Sequence, residues 1–219
     1  MEQNIIVTVD VVLLTLRDDR LHVALHRRDK EPYNGQLALP GGYIHDNEDF
    51  DAEGSARRML WDKTGIRAPY LEQLETFANS ARDPRGWSVS VAYYALVAPE
   101  SLSVGQLDLL PVDGLPVLAF DHNKLVAAAV KRVRNKAAYS SLACYLLPER
   151  FTLTELQRTY EKILGARLDK SSFRRKIASL DFLEMIKDEV QAGRQRPAQF
   201  WKLKRGSLTI FDKLLSQSS

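Results

Sequence analysis

The stretch from Leu39 to Ile66, LPGGYIHDNEDFDAEGSARRMLWDKTGI, limits the folds open to this chain more than any other. It opens on a Pro40-Gly41-Gly42 turn, where missing β-carbons permit a tight bend or a close backbone approach. It then crosses an acidic loop and enters a helix expected from about Asp49 to Thr64. Ala52, Ala56, Met59 and Leu60 supply the apolar stripe that buries one helix face. Gly65 stands where a chain leaves a helix in the left-handed conformation. A helix of this kind gathers hard oxygen ligands when carboxylates recur three and four residues apart, because those side chains converge on one face. Met59, Asp62 and Lys63 are so spaced on this helix, and only one of the three is a carboxylate. A thioether is a poor ligand for magnesium and an ammonium is none, so neither a metal site nor a catalytic residue is assigned. Arg57, Arg58 and Lys63 offer cations directly to an anionic ligand instead.

The flanking sequence supplies strands. Ile5–Leu16 is an apolar, β-branched run, Arg17-Asp18-Asp19-Arg20 a polar turn, and Leu21–His26 alternates, which together predict a hairpin. Tyr70–Phe77 and Trp87–Val97 are two further strands around the turn ARDPRG, and residues 99–116 look like loop. The class is α+β, with an α/β/α sandwich in the first part of the chain.

Charge then divides the molecule. Residues 1–120 carry 11 Lys+Arg against 18 Asp+Glu, a balance of −7, and residues 121–219 carry 20 against 10, or +10, giving the chain its net +3. Such asymmetry points the basic part towards nucleic acid or an anionic membrane. No apolar run has the length of a membrane span, and the N-terminus lacks the charged and apolar blocks of a secretory signal. With a single cysteine, Cys144, the expected compartment is a reducing cytoplasm.

The basic part has its own organisation. A helix begins after Asp121-His122, and a short helix from Ser140 to Leu147 ends at Pro148. Thr154, with Gln157 three residues on, is placed to cap the helix ELQRTYEKIL, which stops at Gly165. Lys170–Leu180 is a second helix, and Phe182–Val190 and Gln199–Leu203 are strands around the loop QAGRQRPA. Helix, turn, helix and hairpin make a winged helix-turn-helix. Phe173, Ile177 and Leu180 would pack inwards, leaving Ser171, Ser172, Arg174, Arg175 and Lys176 for the major groove, with the helix N-terminus as a phosphate site. Arg194 and Arg196 would form the wing. The expected domains are 1–137 for ligand sensing, with its linker helix, and 138–219 for DNA binding.

Leu39–Ile66 resembles the Nudix box, a loop and helix that hold divalent metal against a pyrophosphate. Gly42 and Glu48 keep the box's spacing and Gly65-Ile66 close it, but the segment from Glu48 to Arg58 is two residues too long and the helix glutamates are lost. Together with ARDPRGWSVSVAYYALV, LAFDHNKLV and LLPERFTLTELQRTYEKILGARLDKSSFRRKI, it makes nearly the whole chain resemble the Nudix-related transcriptional regulators of the NrtR family. The resemblance implies a homodimeric, cytoplasmic repressor of NAD biosynthesis or related genes that binds palindromic operator DNA. A nucleotide effector, typically ADP-ribose, would release the DNA, and no other cofactor is implied. The same resemblance places the ligand at the Arg82-Asp83-Pro84-Arg85 turn and the Gly41-Gly42 loop, with Arg27 or Arg28 nearby. The alternative is an active Nudix hydrolase cleaving ADP-ribose or a related nucleoside diphosphate derivative.

Overall fold

The computed structural model describes residues 5–102, 107–191, 198–204, 208–212 and 215. The chain divides into two compact units, Met1–Arg17 with Leu21–Lys131, and Asp18–Arg20 with Arg132–Ser219.

The first unit is built on a mixed sheet of seven strands: β1 (Ile6–Arg17), β2 (Arg20–Arg27), β3 (Leu37–Ala38), β4 (Gly41–Tyr43), β5 (Tyr70–Asn79), β6 (Ser88–Leu96) and β7 (Asp108–Pro111). Their order is β3-β2-β1-β6-β5, with β4 added to β1 and β7 to β2. β1 is central and runs parallel to β6 from Ile6↔Ser88 to Leu14↔Leu96. Between β1 and β2, Asp18 and Asp19 both adopt positive φ (47° and 62°), the backbone of the tight turn that matches strand twist. Helix α1 (Ala52–Thr64) is capped by the Asp51 carboxylate, which accepts from Gly54 N–H at 2.7 Å, and ends at Gly65 with φ 68°. It lays Ala56 and Leu60 onto a core of Val11, Leu13, Ala24, Tyr93, Ala95 and Val97.

Three elements depart from expectation. Residues 99–116 contain a short 3-10 helix at Pro99–Ser101 and the strand β7, which pairs with β2 from Leu25↔Asp108 to His22↔Pro111. A strand of DLLP has no alternation to betray it, and only its partner makes it one. Gly41-Gly42 is strand and not turn, paired as Asp10↔Gly41 and Val9↔Gly42. The glycines serve close packing. A β-carbon at Gly41 would lie 2.1 Å from Asp10 Oδ1 and 2.7 Å from the Val9 carbonyl, and one at Gly42 would lie 2.5 Å from Met59 Sδ.

Helix α2 (His122–Ala137) carries the division between the units, which falls between Lys131 and Arg132. The second unit continues with a 3-10 turn (Ser141–Leu146), β8 (Phe151–Thr152), α3 (Leu153–Leu164), α4 (Lys170–Ser179), β9 (Leu183–Gln191) and β10 (Ala198–Leu203). The three strands form a sheet ordered β8-β10-β9. Thr152, not Thr154, caps α3: its hydroxyl accepts from Glu155 N–H at 3.2 Å, and the Glu155 carboxylate accepts from Thr152 N–H at 2.7 Å. Thr152 leaves β8 in the extended conformation that an N-cap requires, whereas Thr154 is already helical. Phe151, Leu156, Tyr160, Ile163, Phe173 and Ile177 form the core. The Tyr160 ring meets Phe173 edge-on at 5.7 Å, and its buried hydroxyl donates to the Ser140 carbonyl at 2.7 Å. Beyond the sheet Phe211 is also buried, its N–H bonded to the Tyr139 carbonyl.

The two glycines of β4 differ in what they press against. Gly41→Ala must displace backbone and a buried carboxylate, Gly42→Ala only a flexible thioether. Thermal unfolding is expected to show losses of about 3 kcal/mol and about 1 kcal/mol respectively; equal losses would contradict this packing.

Candidate ligand cleft and nucleic-acid interface

A cleft opens in the first unit where β1, β4, the turn before β6 and the start of α2 meet. Thr8, Asp10, Arg28, Leu39, Gly41, Gly42, Tyr43, Arg82, Asp83, Arg85, Phe120 and His122 line it. Its floor is a buried polar network. Asp10 accepts from the Ser90 hydroxyl at 2.6 Å and from Arg82 Nη2 at 3.4 Å, and His122 Nε2 lies 3.5 Å from its other oxygen. The Leu39 N–H donates to His122 Nδ1 at 3.0 Å, which leaves Nε2 as the N–H side of that ring. Arg82 also reaches Asp121 at 3.2 Å. Burial alone would raise the Asp10 pKa; His122, Ser90 and Arg82 outweigh it and hold the carboxyl below its usual value.

The rim is aromatic and cationic. Arg28 lies over the Phe120 ring at 4.7 Å and Arg85 at 5.9 Å, with Arg85 also 5.5 Å from the Tyr43 ring. Arg85 donates to the Tyr43 hydroxyl at 2.6 Å and to both Asp83 oxygens at 3.0 and 2.6 Å. Burial acts to raise the Asp83 pKa, yet the Arg85 pairing prevails and the carboxyl titrates below its usual range. Phe120 holds φ 55°, a left-handed conformation that costs a bulky residue about 1–3 kcal/mol and persists only where the surrounding structure imposes it. Guanidinium planes beside aromatic faces suit a ligand that combines phosphate with a flat ring.

Of the residues expected at a ligand site, the cleft collects Arg28, Gly41, Gly42, Arg82, Asp83 and Arg85, and leaves four outside. Arg27 is mostly exposed and pairs with Asp108 at 3.5 Å. Arg57 is tied to Glu53 one helical turn back, at 2.7 Å. Arg58 folds back onto the loop, giving Nε and Nη2 to the two oxygens of Asp49 at 2.7 and 2.5 Å and Nη2 to the Tyr43 carbonyl at 3.2 Å. Lys63 is exposed on α1. Thr8, Asp10, Leu39, Tyr43, Phe120 and His122 also line the cleft and are not among the residues expected from sequence. Asp10 did carry a signal, a carboxylate inside an apolar β-branched run, where a buried charge demands partners.

The metal positions of α1 do not fit a divalent ion. Met59 is buried with its sulfur filling the space above Gly42. Asp62 and Glu48 lie 3.9 and 3.8 Å from the Arg58 guanidinium, and Glu48 also meets His45 at 2.8 Å. Among the described residues no group of three or more His, Cys, Asp or Glu side chains could hold a metal.

In the second unit, Phe173 and Ile177 pack inwards while Ser171, Arg174 and Arg175 are exposed and Ser172 and Lys176 half-buried. The α4 N-terminus is occupied by its own cap, since Asp169 accepts from Ser172 N–H at 2.7 Å. That interaction, first among those acting on it, lowers the Asp169 pKa. Of the backbone N–H groups at that helix end, where sequence places a phosphate, that of Ser172 is taken by this carboxylate. Arg194 and Arg196 lie outside the described residues. Among the described residues no helix is long and apolar enough to cross a membrane.

Residues 6–116 match the NUDIX domain family, and residues 143–203 match the NrtR DNA-binding winged helix domain. Over 208 residues the chain is 38% identical to the ADPR responsive transcriptional repressor NtrR of Acinetobacter baylyi, covering 90% of this chain and 81% of that protein. The crystal structure of Shewanella oneidensis NrtR complexed with a 27mer DNA superposes with a TM-score of 0.88 at 38% identity, over 96% of this chain and 99% of that one. The NUDIX domain of the same protein complexed with ADP ribose matches at 38% identity and a TM-score of 0.55, over 60% of this chain and 90% of that one.

The Arg58–Asp49 pair yields a pH signature. Asp49 is held well below the usual carboxylate range, chiefly by its hydrogen bonds from Arg58. A depressed pKa stabilises the fold above the unfolded value near ~4 and loses that contribution as pH falls below it. Arg58→Ala is expected to cost about 2 kcal/mol at neutral pH, the gap narrowing only below about pH 4. A gap independent of pH down to acid unfolding would contradict the pairing.

Proposed function

Because the chain belongs to the NrtR family, with a Nudix domain followed by the NrtR winged helix, we propose that it is an ADP-ribose-responsive transcriptional repressor. The winged helix binds operator DNA, and ADP-ribose occupies the cleft lined by Arg28, Tyr43, Arg85 and Phe120. The relatives support both halves of this reading, one crystallised on DNA and its NUDIX domain with ADP ribose. The observation that carries it is the pairing of two guanidiniums with one strained aromatic ring, next to a helix whose metal positions hold Met59 and Lys63. In this cleft the cations that meet the diphosphate are arginines fixed by the fold. Hydrolysis would require a metal to polarise the phosphorus and ready a water, and the α1 side chains offer that ion no converging ligand set. The protein acts as a sensor, with the adenine or the terminal ribose against Tyr43 and Phe120 and the diphosphate on Arg28 and Arg85.

The repressor works as a homodimer on a palindromic site, since two copies of one winged helix read two equivalent half-sites, and its targets are genes of NAD biosynthesis. Coupling runs through α2, whose first residue, His122, lines the cleft and whose last turns belong to the second unit. ADP-ribose favours the arrangement of that helix that does not fit DNA, and by linkage DNA weakens ADP-ribose binding by the same factor.

Calorimetric titration of ADP-ribose into the full chain tests the site. Arg85→Ala and Arg28→Ala are each expected to weaken binding about tenfold or more, since each removes a charge-assisted contact. Lys63→Glu is expected to leave affinity unchanged, and so is replacing magnesium with a chelator. Affinity that depends on magnesium or on Lys63 would move the diphosphate to α1 and defeat this assignment.

A further inference from the structure

Two adjacent arginines stand on the exposed side of α4, and their surroundings differ. At about 100° per residue, Ser171, Arg175 and Ala178 fall opposite the buried Phe173 and Ile177. Arg175 is therefore at the crest of the helix and Arg174 on its flank. All four of Ser171, Arg174, Arg175 and Ala178 are exposed. Arg174 is tethered sideways to the other helix of the motif, its Nη2 donating to the Thr154 hydroxyl at 3.2 Å. Thr154 sits in the first turn of α3, exposed, just past a cap closed by Thr152 and Glu155. Arg175 makes a long contact with Ser172 on its own helix, Nη2 to Oγ at 3.4 Å.

We infer that these arginines divide DNA recognition between them: Arg175 reads a base, and Arg174 grips a phosphate. The inference rests on the DNA-binding reading above and assigns the sequence specificity within it. A helix lying in the major groove turns its crest to the base edges and its flanks to the two backbones. Base reading needs a guanidinium at the crest that can offer two parallel N–H groups; Arg175 stands there, exposed and beside Ser172 and Asp169, and guanine with its O6 and N7 acceptors is the base that answers it. Small residues on either side, Ser171 and Ala178, let the crest approach closely. Phosphate binding needs a cation placed reproducibly beside the groove and tolerates any base sequence. The Thr154 tether fixes Arg174 there, between the two helices of the motif, with the threonine hydroxyl as a second donor to the same phosphate.

The test uses the full-length protein, a duplex selected by it from a random pool, and a scrambled duplex of the same length and composition. Affinities for both are measured across a salt series for Arg174→Ala, Arg174→Lys, Arg175→Ala and Arg175→Lys. Both Arg175 variants are expected to cut the preference for the selected duplex about tenfold or more, because lysine cannot reproduce a bidentate grip. Arg174→Ala is expected to weaken both duplexes by the same factor and to lower the slope of affinity against salt by about one, with Arg174→Lys restoring both. Preference retained by Arg175→Lys, or lost in Arg174→Ala, would overturn the division while leaving DNA binding intact. A wild-type protein that selects no sequence at all would remove the DNA-binding reading and this inference with it.

Discussion

Asp10 puts a carboxylate in the middle of β1, the central strand of the first unit, where a charge must be matched for the strand to be buried. What matches it comes from four separate places: Ser90 on β6, Arg82 in the turn before it, His122 at the start of α2, and Gly41 on β4, whose missing β-carbon leaves the carboxylate its space. The cleft exists because these segments are held together at one point. Removing one partner of such a buried ionic group costs about 3–5 kcal/mol, since the remaining charge is stranded. The same network sets the rim. Arg82 bonds Asp121, the residue between strained Phe120 and His122, so the ring that faces Arg28 and Arg85 is positioned by the charge beneath it.

The Nudix helix has kept its place and changed its occupation. Met59 uses its flexible thioether to fill the space that Gly42 leaves open, converting a ligand position into a packing contact. Arg58 clamps the acidic loop through Asp49, whose side chain is 1% exposed. Loop and helix are thus held by an ion pair and apolar packing. On the proposed reading the cleft binds without catalysing, because the groups that line it lie on other elements than the α1 positions where a metal would be held.

Much of this was legible in the residues. The helix ending at Gly65, the hairpin at Asp18-Asp19 and the inward set Phe173 and Ile177 follow from local periodicity and turn chemistry, which act over a few residues. The Arg82–Arg85 turn and Arg28, which family resemblance places at the ligand, line the cleft. What stayed hidden depends on long-range partners. β7 is a strand only because β2 needs a neighbour, and Gly41-Gly42 is strand only because β1 accepts it. Arg57, Arg58 and Lys63, expected as anion ligands, stand outside the lining of the cleft, a placement hidden from a sequence that gives their charge but not their neighbours. Thr154 and Thr152 offered rival caps for α3, and the extended backbone inherited from β8 decided between them. Phe120 lies within LAFDHNKLV, but its place in the cleft follows from a backbone conformation that sequence does not encode locally.

The central claim is that the cleft signals and does not hydrolyse. It is tested most directly by titrating ADP-ribose, with magnesium present, into the complex of the full-length protein with its selected duplex, while following DNA release and AMP formation together. Release is expected to saturate with no AMP formed beyond the uncatalysed background. AMP produced at turnover rates ordinary for enzymes, or DNA that stays bound at saturating ADP-ribose, would contradict it.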